Sequence, residues 1–335
     1  MSLIRLDPPR AGDLPPKQIA RALDHTRDWV GPDYLPGGGN TAALWSLLAA
    51  TAACDVAVAR AVEPVLDARA ILDQAGLADD DLPGDLEIAS TWGVFAAEGP
   101  GEPLRAHRSG RGWQLKGTKP WCSLAADLEG ALVTAHLDDG ERRLFAVDLC
   151  QPEVEPASGT WVSRGLQEIP SLGVSFHQAP ALPVGEAGWY LTRPGFWWGG
   201  IGVAACWYGG AAGIARRVRA EALARPGTEM LEHALGRVTA RLAEARRALE
   251  EGADAVDGTP RMPGRLVAKL VRTTVAEACE DVMRTAAQAL GPAPLTQEED
   301  YAKTQADLAV YLRQHHPWRE AVSLGRAVAE GEEPW

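Results

Sequence analysis

Paired cysteines are missing from this sequence, and so is any surplus of positive charge. The five cysteines (Cys54, Cys122, Cys150, Cys206, Cys279) are odd in number, scattered and without a Cys-x-x-Cys pair. That pattern excludes a disulfide framework and a zinc site, and it implies a reducing compartment. His25, His107, His136, His177 and His233 show no metal-ligand spacing, so no metal is expected. Lysine and arginine number 33 against 45 acidic residues, a formal charge of −12. Nucleic acid and an anionic membrane face would both repel such a chain. The opening MSLIRLDPPR mixes charges with prolines and lacks the apolar stretch of a secretory signal, so a cytoplasmic location is expected. Long apolar runs are scarce, with one exception. Residues 195–215 carry no charge and are long enough to span a bilayer, but about a third of them are glycine and no second span exists. A buried core helix is the expected reading, and no membrane span.

What is present is an ordinary globular composition, 46% hydrophobic and 23% charged over 335 residues. That length suits two or three domains. From residue 14 to about 78 the pattern is helical. Apolar residues cover nearly the whole circumference as far as Val58, then narrow to a stripe through Val62, Val65, Leu66, Ala70 and Ile71. PGGGN breaks the chain upstream, where Asn40 or Thr41 could cap the following helix. Glu63 and Asp67, one turn apart, read as part of an exposed charged face. From about Ser90 to Gly185 the period changes to two, with Asp139-Gly140 marking a hairpin turn and GWQLKGTKPW and LGVSFHQ as further strands. Long helical periods then return. Ala234, Leu235, Val238, Leu242, Ala245 and Leu249 share one face; Leu266, Leu270, Val275, Ala278, Val282 and Ala286 share another. A last helix, ADLAVYLRQHH, is expected to stop at Pro317, which moves His316 out of helical geometry. The boundaries expected are an N-terminal helical domain at 14–89, a middle β domain of barrel or sandwich type at 90–189, and a C-terminal four-helix bundle at 190–330.

This order of domains, with GWQLKGTKPWCSLA at 112–125 and FAAEGPG at 95–101, resembles the acyl-CoA dehydrogenase superfamily of flavoproteins. The resemblance implies FAD, with Trp121 against the isoalloxazine, Ser123 near its N5, and Ala97 and Glu98 in the cofactor-binding stretch. Ala97 stands where a threonine is usual. QALGP at 288–292 is similar to the family's Gln-x-x-Gly-Gly turn, which implies that Gln288 and Gly291 approach FAD in a neighbouring subunit of a homodimer or homotetramer. Asp307 falls on the aspartate of the family's Arg-Asp pair. Eight residues on, where a catalytic glutamate is common, stands His315, and the alternative glutamate position falls near Gly199. The implied activity is oxidation of the α,β bond of acyl-CoA or a related thioester, with an electron-transfer flavoprotein as acceptor. His315 can serve as proton acceptor, because a neutral imidazole predominates at neutral pH. It can equally be a polar residue closing a helix. Two alternatives stay open: a non-catalytic relative that binds a thioester or a partner subunit, and a flavin-dependent monooxygenase on the same scaffold. Trp197, Trp198, Trp207 and Tyr208 suit a core, and Cys122 a packed hydrophobe.

Overall fold

A computed structural model describes residues 3–6, 14–110, 112–260 and 262–331. Three helices open the fold: α1 (Ile19–His25), α2 (Thr41–Cys54) and α3 (Val56–Gln74). The helical stretch foreseen from residue 14 is therefore broken twice. Short 3₁₀ turns and the PGGGN segment separate α1 from α2, and Asp55 separates α2 from α3. The Asp55 carboxylate caps α3 by accepting from the amides of Ala57 and Val58 at 2.9 and 3.2 Å. Asn40 precedes α2 without a side-chain cap bond.

The middle of the chain forms β1 (Trp92–Phe95), β2 (Arg105–Ser109), β3 (Gly112–Ser123), β4 (Gly130–His136), β5 (Arg142–Asp148), β6 (Val154–Pro156) and β7 (Ser171–Val184). The hairpin expected at Asp139-Gly140 joins β4 to β5, with Gly140 at φ 84°. All seven strands lie in one sheet of order β1-β4-β2-β3-β7-β5, with β6 on β7 and β4 also paired to β5. The sheet curls back on itself, but β2 meets β4 only at Arg105↔His136. It is thus neither a clean barrel nor a sandwich. β1 runs parallel to β4, a pairing that local alternation does not reveal.

After the short α4 (Trp189–Thr192) come α5 (Gly195–Ala224), α6 (Glu229–Asp257), α7 (Gly264–Leu290), the short α8 (Ala293–Gln297) and α9 (Glu299–Tyr311). Helices α5, α6, α7 and α9 form the expected bundle. The apolar stretch at 195–215 is a core helix, and no helix among the described residues is long and apolar enough to cross a membrane. Its glycines serve packing: a Cβ at Gly209 would strike the Ala49 backbone of α2. The last helix expected, ADLAVYLRQHH, ends earlier, at Tyr311, with a 3₁₀ turn over Leu312–Gln314, and it is not the last. A further helix, α10 (Pro317–Ala329), starts at the proline, which is favourable at a first helical turn.

Two polar staples fix distant segments of the chain against one another. Asp307 of α9 accepts from the Leu166 amide at 2.6 Å and from Lys303 Nζ at 2.7 Å, which ties the bundle to the loop before β7. Arg69 of α3 is 2% exposed. It donates to the carbonyls of Thr26, Trp29, Ile88, Ala89 and Ser90 at 2.5 to 3.2 Å, fixing the segment that enters β1. Replacing Arg69 with Met would strand those carbonyls, at a cost of about 3 kcal/mol or more. Lys would recover only part of this, since an ammonium cannot reproduce the planar fork. Urea unfolding followed by circular dichroism measures both; equal stability of Arg69→Met and the parent would refute the staple.

Candidate functional site

On the sheet side, backbone strain concentrates at one place. Among the described residues, four non-glycine positions have positive φ, and two of them, Trp121 (60°) and Leu124 (58°), flank Cys122 and Ser123. Trp121 is also 57% exposed, an unusual position for so large an apolar ring. Gly99 lies against Pro120 and Trp121, so the stretches 95–101 and 112–125 do meet. The Ser123 hydroxyl is 2.7 Å from that of Ser171 and accepts from Arg60 Nη2 of α3 at 2.9 Å. Ala97 is exposed. Glu98 acts as the counter-ion of buried Lys119 at 3.1 Å, with His136 at 3.5 Å and Arg142 at 3.6 Å. Burial alone would raise the Glu98 pKa, but Lys119 and His136 hold it below the usual carboxylate range. Burial pushes the Cys122 thiol up to about 12, so it is packed and inert, as its surroundings in the sequence suggested.

Between sheet and bundle lies a cleft of about 810 Å³, lined among others by Ala96, Thr134, Arg142, Tyr190, Phe196 and Gln314. Its size is that of a small-molecule or cofactor site. Behind Tyr190, the bundle side carries a buried polar cluster. Glu63 and Asp67 belong to it, and the exposed face expected for them is not found. Residues 60, 63 and 67 lie on one side of α3, and that side packs inward between α5 and α9. Burial, then the neighbouring Asp67, raises the Glu63 carboxyl to about 8. Asp67 is raised too, by burial and against the opposing charge of Arg193. Arg193 is 2% exposed in its side chain, sits 3.5 Å from Asp67 Oδ1, donates to Gln74 at 2.7 Å and leaves its Nε without a partner.

His315 is buried, and neither of its ring nitrogens has a hydrogen-bond partner. The nearby Trp207 is buried with its Nε1 unpartnered as well; the two rings are 6.2 Å apart. Arg272 lies over the Trp207 ring at 4.7 Å and donates to the Gly200 carbonyl. Burial, then Arg272, holds the His315 imidazole below its ordinary pKa, hence neutral. Gln314 lines the cleft, whereas His315 lines a cavity of about 460 Å³ shared with α7. His316 is exposed. Gln288 and Gly291 stand together at the C-terminal end of α7, where Gly291 turns the chain at φ 71°. Trp207 and Tyr208 are core residues, while Trp197 and Trp198 are half-buried and line another cavity, of about 310 Å³. Among the described residues no group of His, Cys, Asp and Glu could hold a metal. Sequence reasoning missed Arg60, Tyr190 and Arg193. The available signal was the spacing Arg60, Glu63, Asp67 on one face of an otherwise apolar, alanine-rich helix.

Residues 186–312 match the family described as Acyl-CoA dehydrogenase, C-terminal domain. No curated protein matches the sequence. Among solved structures, butyryl-CoA dehydrogenase from Megasphaera elsdenii superposes with a TM-score of 0.80 at 15% identity, over 95% of this chain and 91% of that one. A glutaryl-CoA dehydrogenase from Mycobacterium smegmatis, in complex with FADH2, gives 0.79 at 16%, over 96% and 89%. TdsC from Paenibacillus sp. A11-2, with FMN and indole, gives 0.72 at 14%, over 87% and 84%. The fold is shared across all three.

Two measurements follow from the site's burial. In the native protein a maleimide should label the exposed Cys54 and Cys150 but not Cys122, Cys206 or Cys279, all of which should react after denaturation. A native Cys122 adduct in the mass spectrum would contradict this geometry. Glu63 keeps its proton to about 8 in the fold against 4.5 for the free group. Its contribution to stability is therefore complete below 4.5 and is lost as pH rises through 8. Glu63→Gln should flatten the fall in unfolding free energy over that interval, and an unchanged slope would remove Glu63 as its source.

Proposed function

We propose that this chain is a member of the acyl-CoA dehydrogenase superfamily, an FAD-dependent oxidoreductase that oxidises the α,β bond of an acyl thioester, acyl-CoA or a related carrier ester. The observation that carries this reading is the strained, exposed Trp121 beside the Ser123 hydroxyl. Strain and exposure at one aromatic are costly and persist where a ligand uses them. The residues present fit a flavin: an open indole for the ring system, a serine hydroxyl with remaining hydrogen-bond capacity, and the cleft beside Ala96. Trp121, Ser123 and the stretch at Ala97 and Glu98 would hold it, with Gln288 and Gly291 of a second subunit in a homodimer or homotetramer. When bound, it supplies a two-electron acceptor for the β-hydride, and an electron-transfer flavoprotein would reoxidise it.

The chain's own part is to bind the thioester in a dry cleft, position its α-carbon and handle the α-proton. His315 belongs to that centre in this reading. Its imidazole stays neutral, because desolvation and Arg272 both oppose its protonation. A neutral ring carries one donor and one acceptor nitrogen, and both are unspent here.

Arg60 favours a second reading, a non-catalytic subunit that binds a thioester or a partner, because its guanidinium already engages Ser123. One experiment separates them. After reconstitution with FAD, anaerobic titration with acyl-CoAs from acetyl to palmitoyl should bleach the visible flavin band. No flavin uptake would favour the second reading, and a bound flavin that stays oxidised would overturn the dehydrogenase. His315→Ala should retain flavin and slow its reduction by roughly 10²-fold, the usual scale for a positioned acid–base group or oxyanion donor. Unchanged reduction kinetics would take His315 out of the site.

A further inference from the structure

The buried cluster behind Tyr190 contains more chemistry than His315. Glu63 and Asp67 project from one face of α3 into the space beside α5, and that space exists because residue 199 is glycine. A Cβ at Gly199 would collide with the Asp67 carboxylate. Asp67 Oδ1 is buried, has Arg193 at 3.5 Å and makes no hydrogen bond. Arg193 lies over the ring of Tyr190, and Tyr190 lines the cleft. Its guanidinium is buried and aimed at Asp67, yet its Nε is unspent. Buried polar atoms in folded proteins nearly always have partners, so orphans on neighbouring side chains of one cluster point to a ligand that satisfies them.

We propose that Asp67, with Glu63 as its positioning residue, is the proton acceptor for the α-carbon of the thioester bound in this cleft. This rests on the reading given under the proposed function. In the step assigned here the α-C–H bond breaks, the proton goes to an Asp67 oxygen, and the electron pair stays on the substrate as the thioester enolate. No oxidant is consumed, so the step is reversible by itself.

The electrostatics of the cluster sort the roles. Asp67 and Glu63 face Arg60, Arg193, Arg272 and Tyr190. Two carboxyls one turn apart in a buried place do not both ionise readily, and Arg193, 3.5 Å from Asp67, draws the pair's charge toward Asp67. Burial makes that charge costly and the carboxylate a stronger base than usual, and accepting the α-proton removes the cost. His315 is shifted the opposite way: its protonated form is disfavoured, which suits a hydrogen-bond donor to a developing oxyanion better than a base.

The test is α-proton exchange, which needs no turnover. The FAD-reconstituted protein is incubated anaerobically in heavy water with the acyl-CoA that reduces it best, and deuterium uptake at the α-carbon is read by mass spectrometry. Asp67→Asn should slow exchange by about a hundredfold or more, with calorimetry showing the thioester bound within a fewfold of its parental Kd. The double variant Asp67→Ala/Gly199→Glu, which puts a carboxylate into the vacated space from α5, should restore exchange at least tenfold over Asp67→Ala. An infrared carboxyl band that titrates near pH 8 and vanishes in Glu63→Gln should report the shared proton in the absence of any substrate. Parental exchange in Asp67→Asn, with the flavin still reduced, overturns the assignment and leaves the dehydrogenase standing. Parental protein that neither exchanges nor is reduced overturns both.

Discussion

Burying charge on a helix is the constraint from which the rest of this structure follows. Helix α3 carries Arg60, Glu63, Asp67 and Arg69, and it runs between the bundle and the sheet, where water cannot serve them. Arg60, Asp67 and Arg69 find partners inside, and Glu63 keeps its proton instead. Arg69 takes backbone carbonyls from the segments that flank the helix. Arg60 reaches across to Ser123 of β3, and Asp67 takes Arg193 at the start of the bundle. Those pairings relate the N-terminal helices to both other parts of the chain. A hydrophobic α3 could pack in the same place, and often as stably. It would not specify where β3 ends relative to the bundle.

Elements whose signal is local were readable. The Asp139-Gly140 hairpin, the long bundle helices and the buried character of residues 195–215 all follow from period and turn chemistry within short windows. Three features were not. The parallel partnership of β1 with β4 joins segments about forty residues apart, and nothing in WGVF distinguishes parallel from antiparallel pairing. Proline 317 reads as a stop for one helix or a start for the next; here it starts α10, α9 having already ended at Tyr311. Glu63 and Asp67 look like solvent-facing residues because a charged side chain is nearly always exposed. Only the three-dimensional placement of α3 turns its acidic face inward.

The site was legible to a matching degree. Stretches 95–101 and 112–125 were legible because each is contiguous, and they meet at Gly99 and Trp121. Glu98 shows the limit of that reasoning. A motif position fixes where a residue sits but not what it binds, and this carboxylate is committed to Lys119. The polar cluster was invisible because its members come from α3, α4, α5, α7 and the end of α9, with no two of the elements adjacent in sequence contributing a recognisable spacing beyond the run on α3.

The composition of that cluster bears on chemistry. A cleft intended only to shelter a hydrocarbon chain has no use for buried carboxylates, guanidinium groups, a phenol and an imidazole behind its wall, since every one of them pays desolvation. The cost is tolerable because opposite charges compensate one another and Glu63 stays protonated. Such an arrangement couples the protonation of the two carboxyls, because charge on Asp67 raises the cost of charge on Glu63. A group entering through Tyr190 with an acidic C–H or a developing oxyanion shifts that balance by contact alone, and in a medium of low dielectric the shift is larger than the same contact would produce in water. In the reading proposed above, the working base is whichever carboxyl of this cluster carries the charge, so a histidine at position 315 does not by itself exclude that chemistry.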